Sequence, residues 1–144
     1  LGSILFSALY GSKFDSNPKM WRMFAALSLD LSTILEMVSI FFPSNFLLVA
    51  SLANAGKNIS WIAASASRAA IHNSFSNGQN LADITAKSGA QNVVSSLGGM
   101  CFGILISAQM GSDFSSMFPV AVVLTAGHLT FNRLSLNSVV MNTI

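Results

Sequence analysis

Charge is what this sequence has least of. Only 8% of its 144 residues are Asp, Glu, Lys or Arg, where an ordinary soluble domain carries about a quarter. Seven basic and five acidic side chains cannot clothe the surface of a soluble protein this size. A bilayer lifts that requirement, because a side chain facing lipid can be apolar all round. The mean hydropathy of +0.62 and the 52% apolar content agree. The net charge of +2 comes from basic residues scattered along the chain, which form no patch for nucleic acid.

Cysteine is nearly absent too. Cys101 sits alone in the apolar run GGMCFGILI, which excludes an internal disulfide, leaves the redox compartment open and reads as an inert buried thiol. There is no CxxC, no HExxH, no Gly-rich phosphate loop and no GxSxG elbow, so zinc, nucleotide and serine-hydrolase chemistries have no signature here. Lys57 or Lys87 offers an amine for a Schiff base, yet nothing in the spacing demands one. The reading is of a protein that is not an enzyme and has no metal site, with its cofactors, if any, left open.

What is present is helical hydrophobicity. Residues 1–10 read as the end of a helix and residues 11–19, GSKFDSNPK, as a polar loop. Residues 20–42 are close to the roughly 20 that span a hydrocarbon core, and Pro43 ends them. Residues 46–75 form one helical stretch interrupted only by Gly56, which implies either a tilted, projecting helix or a break there. SNGQN at 76–80 is a turn. Asn80 and Asp83 open a helix reaching about Met110, and GSDFSSMF is a loop before Pro119 begins a last segment to about Leu136. The expected architecture is all-α: a polytopic transmembrane bundle of about four crossings plus the end of a preceding helix. It forms a single domain over residues 1–144. The opening LGSILFSALYGSK and the close VVMNTI read as cut edges of a longer chain. Lys13, Lys19 and Arg22 place the 11–22 loop on the cytosol-like face. Four crossings then bring the 76–88 hinge and the C-terminal end to that face.

The few polar residues fall on helix faces. Ser28, Ser32, Glu36 and Ser39 share one side of the first full crossing, with Asp30 well round the cylinder. Intramembrane carboxylates are costly and are either paired structurally or used for proton or substrate handling. Lys57, Trp61, Ala64, Arg68, His72 and Phe75 share a face of the second segment. Arg68 there needs a carboxylate, with Glu36 and Asp83 on offer, or else snorkels to the interface. Asp83, Lys87, Gln91, Ser95, Gly99, Gly103 and Ser107 succeed one another every four residues. This row passes from polar to a small-residue ridge containing GMCFG, which suggests a central packing helix. Thr125, His128, Asn132 and Ser135 share a face of the last segment, where polar contact between helices is the expected role.

Three stretches, GSKFDSNPKMWRMFA, SRAAIHNSFSNGQNLADITAKSGAQ and HLTFNR, resemble the core domain of the root UV-B sensitive family. The matching residues are Gly11, Ser12, Asp15, Lys19, Trp21 and Arg22, then Arg68, Ala69, Ala70, Asn80, Ala82, Asp83, Ala86, Lys87 and Gln91, then His128, Asn132 and Arg133. Ser76, Asn77 and Gly78 stand where the family pattern has a basic pair. The resemblance implies an integral membrane protein, in plants mostly plastid-associated, linked to vitamin B6 homeostasis and early seedling light responses; it carries over no catalytic residues.

Two roles follow as expectations, ahead of a third, a B6-handling or light-sensing enzyme using a lysine or Trp21 and Trp61. One is transport or handling of a small polar metabolite around Glu36, Lys57, Arg68, His72, Asp83, Lys87 and Gln91. The other is an accessory subunit of a larger organellar, even photosynthetic, complex, with Ser95, Gly99, Gly103 and Ser107 as docking surface and His72, His128 or Glu36 as pigment ligands. The expected partners are membrane lipid and other membrane subunits or a paralogue, and the expected location is an organellar membrane, the plastid first.

Overall fold

A computed structural model describes residues 2–76, 80–111 and 113–140. Five α-helices follow in order: α1 (Gly2–Tyr10), α2 (Pro18–Val38), α3 (Phe46–Phe75), α4 (Leu81–Met110) and α5 (Phe114–Ser138). Short 3-10 turns at Gly11–Lys13, Ser39–Phe41 and Pro43–Asn45 join the first three, and the described residues contain no strand. The centre of the expected 76–80 turn lies outside the described residues.

Local chemistry sets the helix ends. Asn17 caps α2 by accepting a hydrogen bond from Met20 N at 3.2 Å, and Pro18 occupies the first turn, where its missing N–H costs nothing. The α-helix stops at Val38, earlier than the apolar run suggests. There Ser39 Oγ donates to Glu36 O at 2.6 Å and the chain tightens into 3-10 turns before Pro43. α4 closes on Gly111, whose φ of 74° is a left-handed setting that favours glycine.

The start of α5 departs from expectation. Residues 114–118 are helical, not a loop, and Pro119 lies inside the helix. The Asp113 carbonyl accepts from Ser116 N at 3.1 Å and Met117 N at 3.0 Å, so the helix opens there. Phe114 gains a ring contact with Phe118 at 5.1 Å and with Phe41 at 4.6 Å. Proline in a membrane helix is tolerated when neighbouring groups make up for the lost bond.

Those contacts settle the topology. Phe41 against Phe114 puts the end of α2 beside the start of α5, while Lys19 Nζ donates to Val139 O at 2.5 Å at the opposite end. α2 and α5 are therefore antiparallel. The end of α2 and the start of α3 share one face with the end of α4 and the start of α5, and the end of α3 and the start of α4 share the other with the 11–17 loop. The four long helices thus alternate in direction. Three helical stretches are long and apolar enough to cross a membrane by composition: Pro18–Phe41, Leu81–Met110 and Phe114–Ser138. α3 is the polar one, carrying Asn54, Lys57, Asn58, Arg68, His72 and Asn73, and it runs between α2 and α4. The architecture is a helical membrane bundle.

α2 and α3 form its centre. The buried positions of α3 are Ala53, Ser60, Ala63 and Ser67, and with Gly56 they alternate steps of three and four, the spacing of a left-handed pair. Across from them α2 buries Ala25, Ala26 and Ser32. Small side chains let the backbones approach, and hydroxyls then reach the facing carbonyls. Ser60 Oγ donates to Ala25 O at 2.6 Å and Ser28 Oγ to Gly56 O at 3.2 Å. The helix does not break at Gly56. Instead, a Cβ there would collide with Ser32 Oγ and stand 3.3 Å from Ser32 Cβ. α1 closes one end of this pair. Phe6 packs with Phe14, Trp21 and Phe24, and Trp21 Nε1 donates to Lys13 O at 2.9 Å.

α4 is not the central packing helix that its pattern suggested. It meets only the flank of α3, has no buried residue, and an added Cβ at Gly99 or Gly103 would meet nothing within 4 Å. The close-packing role has gone to α3, whose small residues face a partner that is equally small.

Gly56→Val should lower thermal stability of the detergent-solubilised protein by about 1–3 kcal/mol through overpacking against Ser32. Adding Ser32→Gly should restore most of the loss.

Candidate functional site

Polar side chains gather at two places. The first is at mid-depth where α2, α3 and α5 meet. Asp30 lies about 18 Å up α2 from Pro18 at 1.5 Å per residue and is 8% exposed. Its two carboxylate oxygens lie 2.9 and 3.0 Å from His128 Nδ1, within hydrogen-bond distance, and the His128 side chain is 43% exposed. Beside the pair is a cavity of about 50 Å³ lined by Arg22, Ala25, Ala26, Leu29, Ser60, Ala64, His128 and Asn132. Arg22 Nη1 donates to Ala64 O at 3.3 Å, which holds the cation against α3 at the end of the bundle marked by Lys19 and Val139.

The second is a groove of about 330 Å³ between α3 and α4, with Ser65, Arg68, Ala69 and His72 on one side and Leu81, Thr85, Ser88 and Gly89 on the other. Arg68 is half-buried, and among the described residues its guanidinium has no hydrogen bond or ion pair. A planar fork of donors beside an imidazole and three hydroxyls is suited to an oxyanion such as phosphate or carboxylate.

The candidates read from the sequence divide between these places and others. Arg68 and His72 line the groove together. Arg68 pairs with neither expected carboxylate. Glu36 bonds to Lys57, and antiparallel packing leaves it roughly 25 Å along the axis from Arg68. Asp83 is taken by Lys87 at 2.7 Å within α4. The Glu36–Lys57 pair forms because side chains lean toward the N-terminus of their own helix, so on antiparallel helices these two lean toward each other. Asp83, Lys87 and Gln91 lie exposed on the early turns of α4, and none of them lines the groove. Ser95, Gly99, Gly103 and Ser107 face no other part of the described chain. The described residues contain no group of three potential metal ligands.

The Asp30–His128 pair was not legible beforehand. The two residues are 98 positions apart, and each is a lone polar residue on its own helix. The only hints were the cost of a carboxylate at that depth and the shared face of His128 and Asn132.

Across residues 1–144 the chain matches the model of a family described as the vitamin B6 photo-protection and homoeostasis domain. The chain belongs to the root UVB sensitive family. This root UVB sensitive chain is 33% identical over 144 residues to Protein root UVB sensitive 3 of Arabidopsis thaliana, covering all of the chain and 33% of the relative. It is 34% identical over 144 residues to Protein root UVB sensitive 2, chloroplastic, of the same organism, again covering all of the chain and 33% of the relative. With RUS family member 1 of Dictyostelium discoideum the identity is 29% over 147 residues, covering all of the chain and 28% of the relative. The chain thus spans about a third of the length of these curated relatives. No solved structure matches it. The residues that carry the family resemblance collect at one end of the bundle. Lys19, Trp21 and Arg22 begin α2, Arg68 to Ala70 lie near the end of α3, Asp83 and Lys87 begin α4, and Asn132 and Arg133 lie in the final turns of α5.

In the root UVB sensitive chain the two acid–base pairs on α2–α3 and α4 should respond differently to mutation. Glu36→Gln should destabilise the protein by stranding Lys57, and the double variant Glu36→Gln/Lys57→Met should recover most of the loss, a coupling of about 0.5–3 kcal/mol in thermal unfolding. Lys87→Gln should change stability by no more than about 0.5 kcal/mol, since its pair is open to solvent.

Proposed function

We propose that this membrane domain binds and passes a small anionic metabolite of the vitamin B6 class, with the α3–α4 groove as its binding place. The observation that carries the reading is Arg68. It is a half-buried cation with no partner among the described residues, lining a groove of about 330 Å³, a volume within the range of small-molecule pockets. A cation at a membrane-helix surface without a counter-ion is costly, and an anionic ligand supplies what the chain does not. The family description names vitamin B6, whose phosphorylated forms carry such a group. The role is that of a carrier and not of an enzyme: the groove offers recognition, and neither Lys57 nor Lys87 lines it. One relative is named chloroplastic, which supports an organellar membrane, the plastid first.

The exposed ridge on α4 favours a second reading, an accessory subunit of a larger membrane assembly or a partner of a paralogue. Ser95, Gly99, Gly103 and Ser107 form a small-residue track with open space before it, the kind of surface on which another helix packs closely.

Two experiments separate the readings. The full-length protein in liposomes should take up pyridoxal 5′-phosphate. Arg68→Ala should reduce that uptake about tenfold or more, the worth of a charge-assisted contact, with partial recovery in Arg68→Lys; undiminished uptake in folded Arg68→Ala protein would sink the carrier reading. Gly99→Leu/Gly103→Leu should leave the protein's own thermal stability unchanged while abolishing co-purification of membrane partners in mild detergent, an outcome that the accessory reading requires.

A further inference from the structure

Asp30 and His128 take no part in the groove; they meet at mid-depth in the bundle, the Asp30 side chain 12% exposed and that of His128 43%. Asp30 comes from α2 and His128 from α5, so their contact joins two helices that otherwise meet through the Lys19–Val139 and Phe41–Phe114 contacts. With Nδ1 committed to the carboxylate, the free valence of the imidazole is Nε2. The His128 ring borders the cavity of about 50 Å³, which has room for roughly one or two water molecules. The polar lining of that cavity runs from His128 through Ser60 and Asn132 to Arg22, toward the end where Lys19 meets Val139.

We infer that Asp30, His128 and this cavity form a proton-binding site in the membrane interior, reached by water from the face that bears Lys13, Lys19 and Arg133. A hydronium ion entering the cavity gives its proton to the Nε2 lone pair and leaves as water. The imidazole becomes an imidazolium, Nδ1–H still donates to Asp30, and no other bond changes. The pair then passes from a net single negative charge to a neutral ion pair, so the proton arrives with its counter-charge already in place. Histidine is the side chain suited to this exchange, because it changes charge near neutral pH. The charged groups on the three helices that meet here have separate positions. Arg22 of α2 lines the cavity, Glu36 of α2 and Lys57 of α3 are bound to each other toward the other end, Arg68 of α3 lies one turn beyond Ala64, and Arg133 of α5 is exposed beside Asn132. None of them intervenes between Asp30 and His128. The inference does not depend on the anion groove: a proton site would persist if Arg68 bound nothing.

The test is histidine titration in the full-length protein, ¹⁵N-labelled at histidine and reconstituted into vesicles of defined orientation, with His128 assigned by subtracting the spectrum of His128→Gln. His128 should gain one proton as pH is lowered on the Lys19 face alone, across the range in which the protein stays folded. Asp30→Asn, which keeps the shape and removes the charge, should displace that titration by about one pH unit or more, and Glu36→Gln should leave it where it was. If Asp30→Asn fails to fold, Asn132→Leu tests the route instead: blocking the cavity should slow proton exchange at His128 without displacing its midpoint. A His128 that keeps one protonation state across this range, that titrates from the opposite compartment, or whose midpoint ignores Asp30→Asn in folded protein would overturn the assignment.

Discussion

The close approach of Ser32 to Gly56 is the constraint on which the bundle depends. In lipid there is no hydrophobic gain from bringing helices together, so contact must come from dispersion between closely fitted backbones and from hydrogen bonds that water does not contest. Gly56 removes the one Cβ that would hold α2 and α3 apart. Ala25, Ala26, Ala53 and Ala63 keep the rest of the seam thin, and Ser28 and Ser60 use the short distance to reach carbonyls across it. The remaining features are arranged around this pair: α1 covers one end with its aromatic rings, α5 lies along α2, and α4 rests on the flank of α3.

That seam also explains why the polar residues of α3 are tolerated. Its hydroxyls donate to helix carbonyls, as in Ser67 Oγ to Ala63 O at 2.6 Å, and Lys57 is neutralised by Glu36. What is left over is uneven. Arg22 is satisfied by a carbonyl on α3, whereas Arg68, one turn farther along α3, has no partner among the described residues and faces a groove. Most of the chain's cations lie at one end of the bundle, on the same face as the residues of the family pattern and the groove. Electrostatic attraction of an anion and the location of the groove then point the same way.

Much of this was legible in one dimension. The span of α3 from Phe46 to Phe75 follows from the absence of any breaker except Gly56, and that of α4 from the turn residues around it and the glycine at 111. The α2 start was read two residues late because Pro18 was taken as the end of a loop, although proline is at home in a first helical turn. The α5 start was read five residues late for the converse reason. Pro119 looked like a beginning, but ring contacts of Phe114 with Phe41 and Phe118 hold a helical turn ahead of it. The stripe of Lys57, Arg68 and His72 is real as a face but not as a site: it divides because Lys57 leans toward one end of the bundle and Arg68 lines a groove near the other.

Composition and periodicity by themselves pointed to a helical membrane protein, to roughly where its helices lie and to which end carries the positive charge, and short residue motifs carried the resemblance to the root UVB sensitive family, because each of these depends on residues close together in sequence. Pairing was decided only by the tertiary structure. The small residues of α3 and α4 look equally fit for close packing, yet the α4 row from Ser95 to Ser107 meets no other helix among the described residues. Asp30 and His128 are meaningless apart and pair only once α2 and α5 lie antiparallel, with Asp30 buried and His128 partly exposed. Contacts between residues 98 positions apart depend on how helices choose neighbours, and that choice rests on the fit of whole surfaces, which no local pattern records.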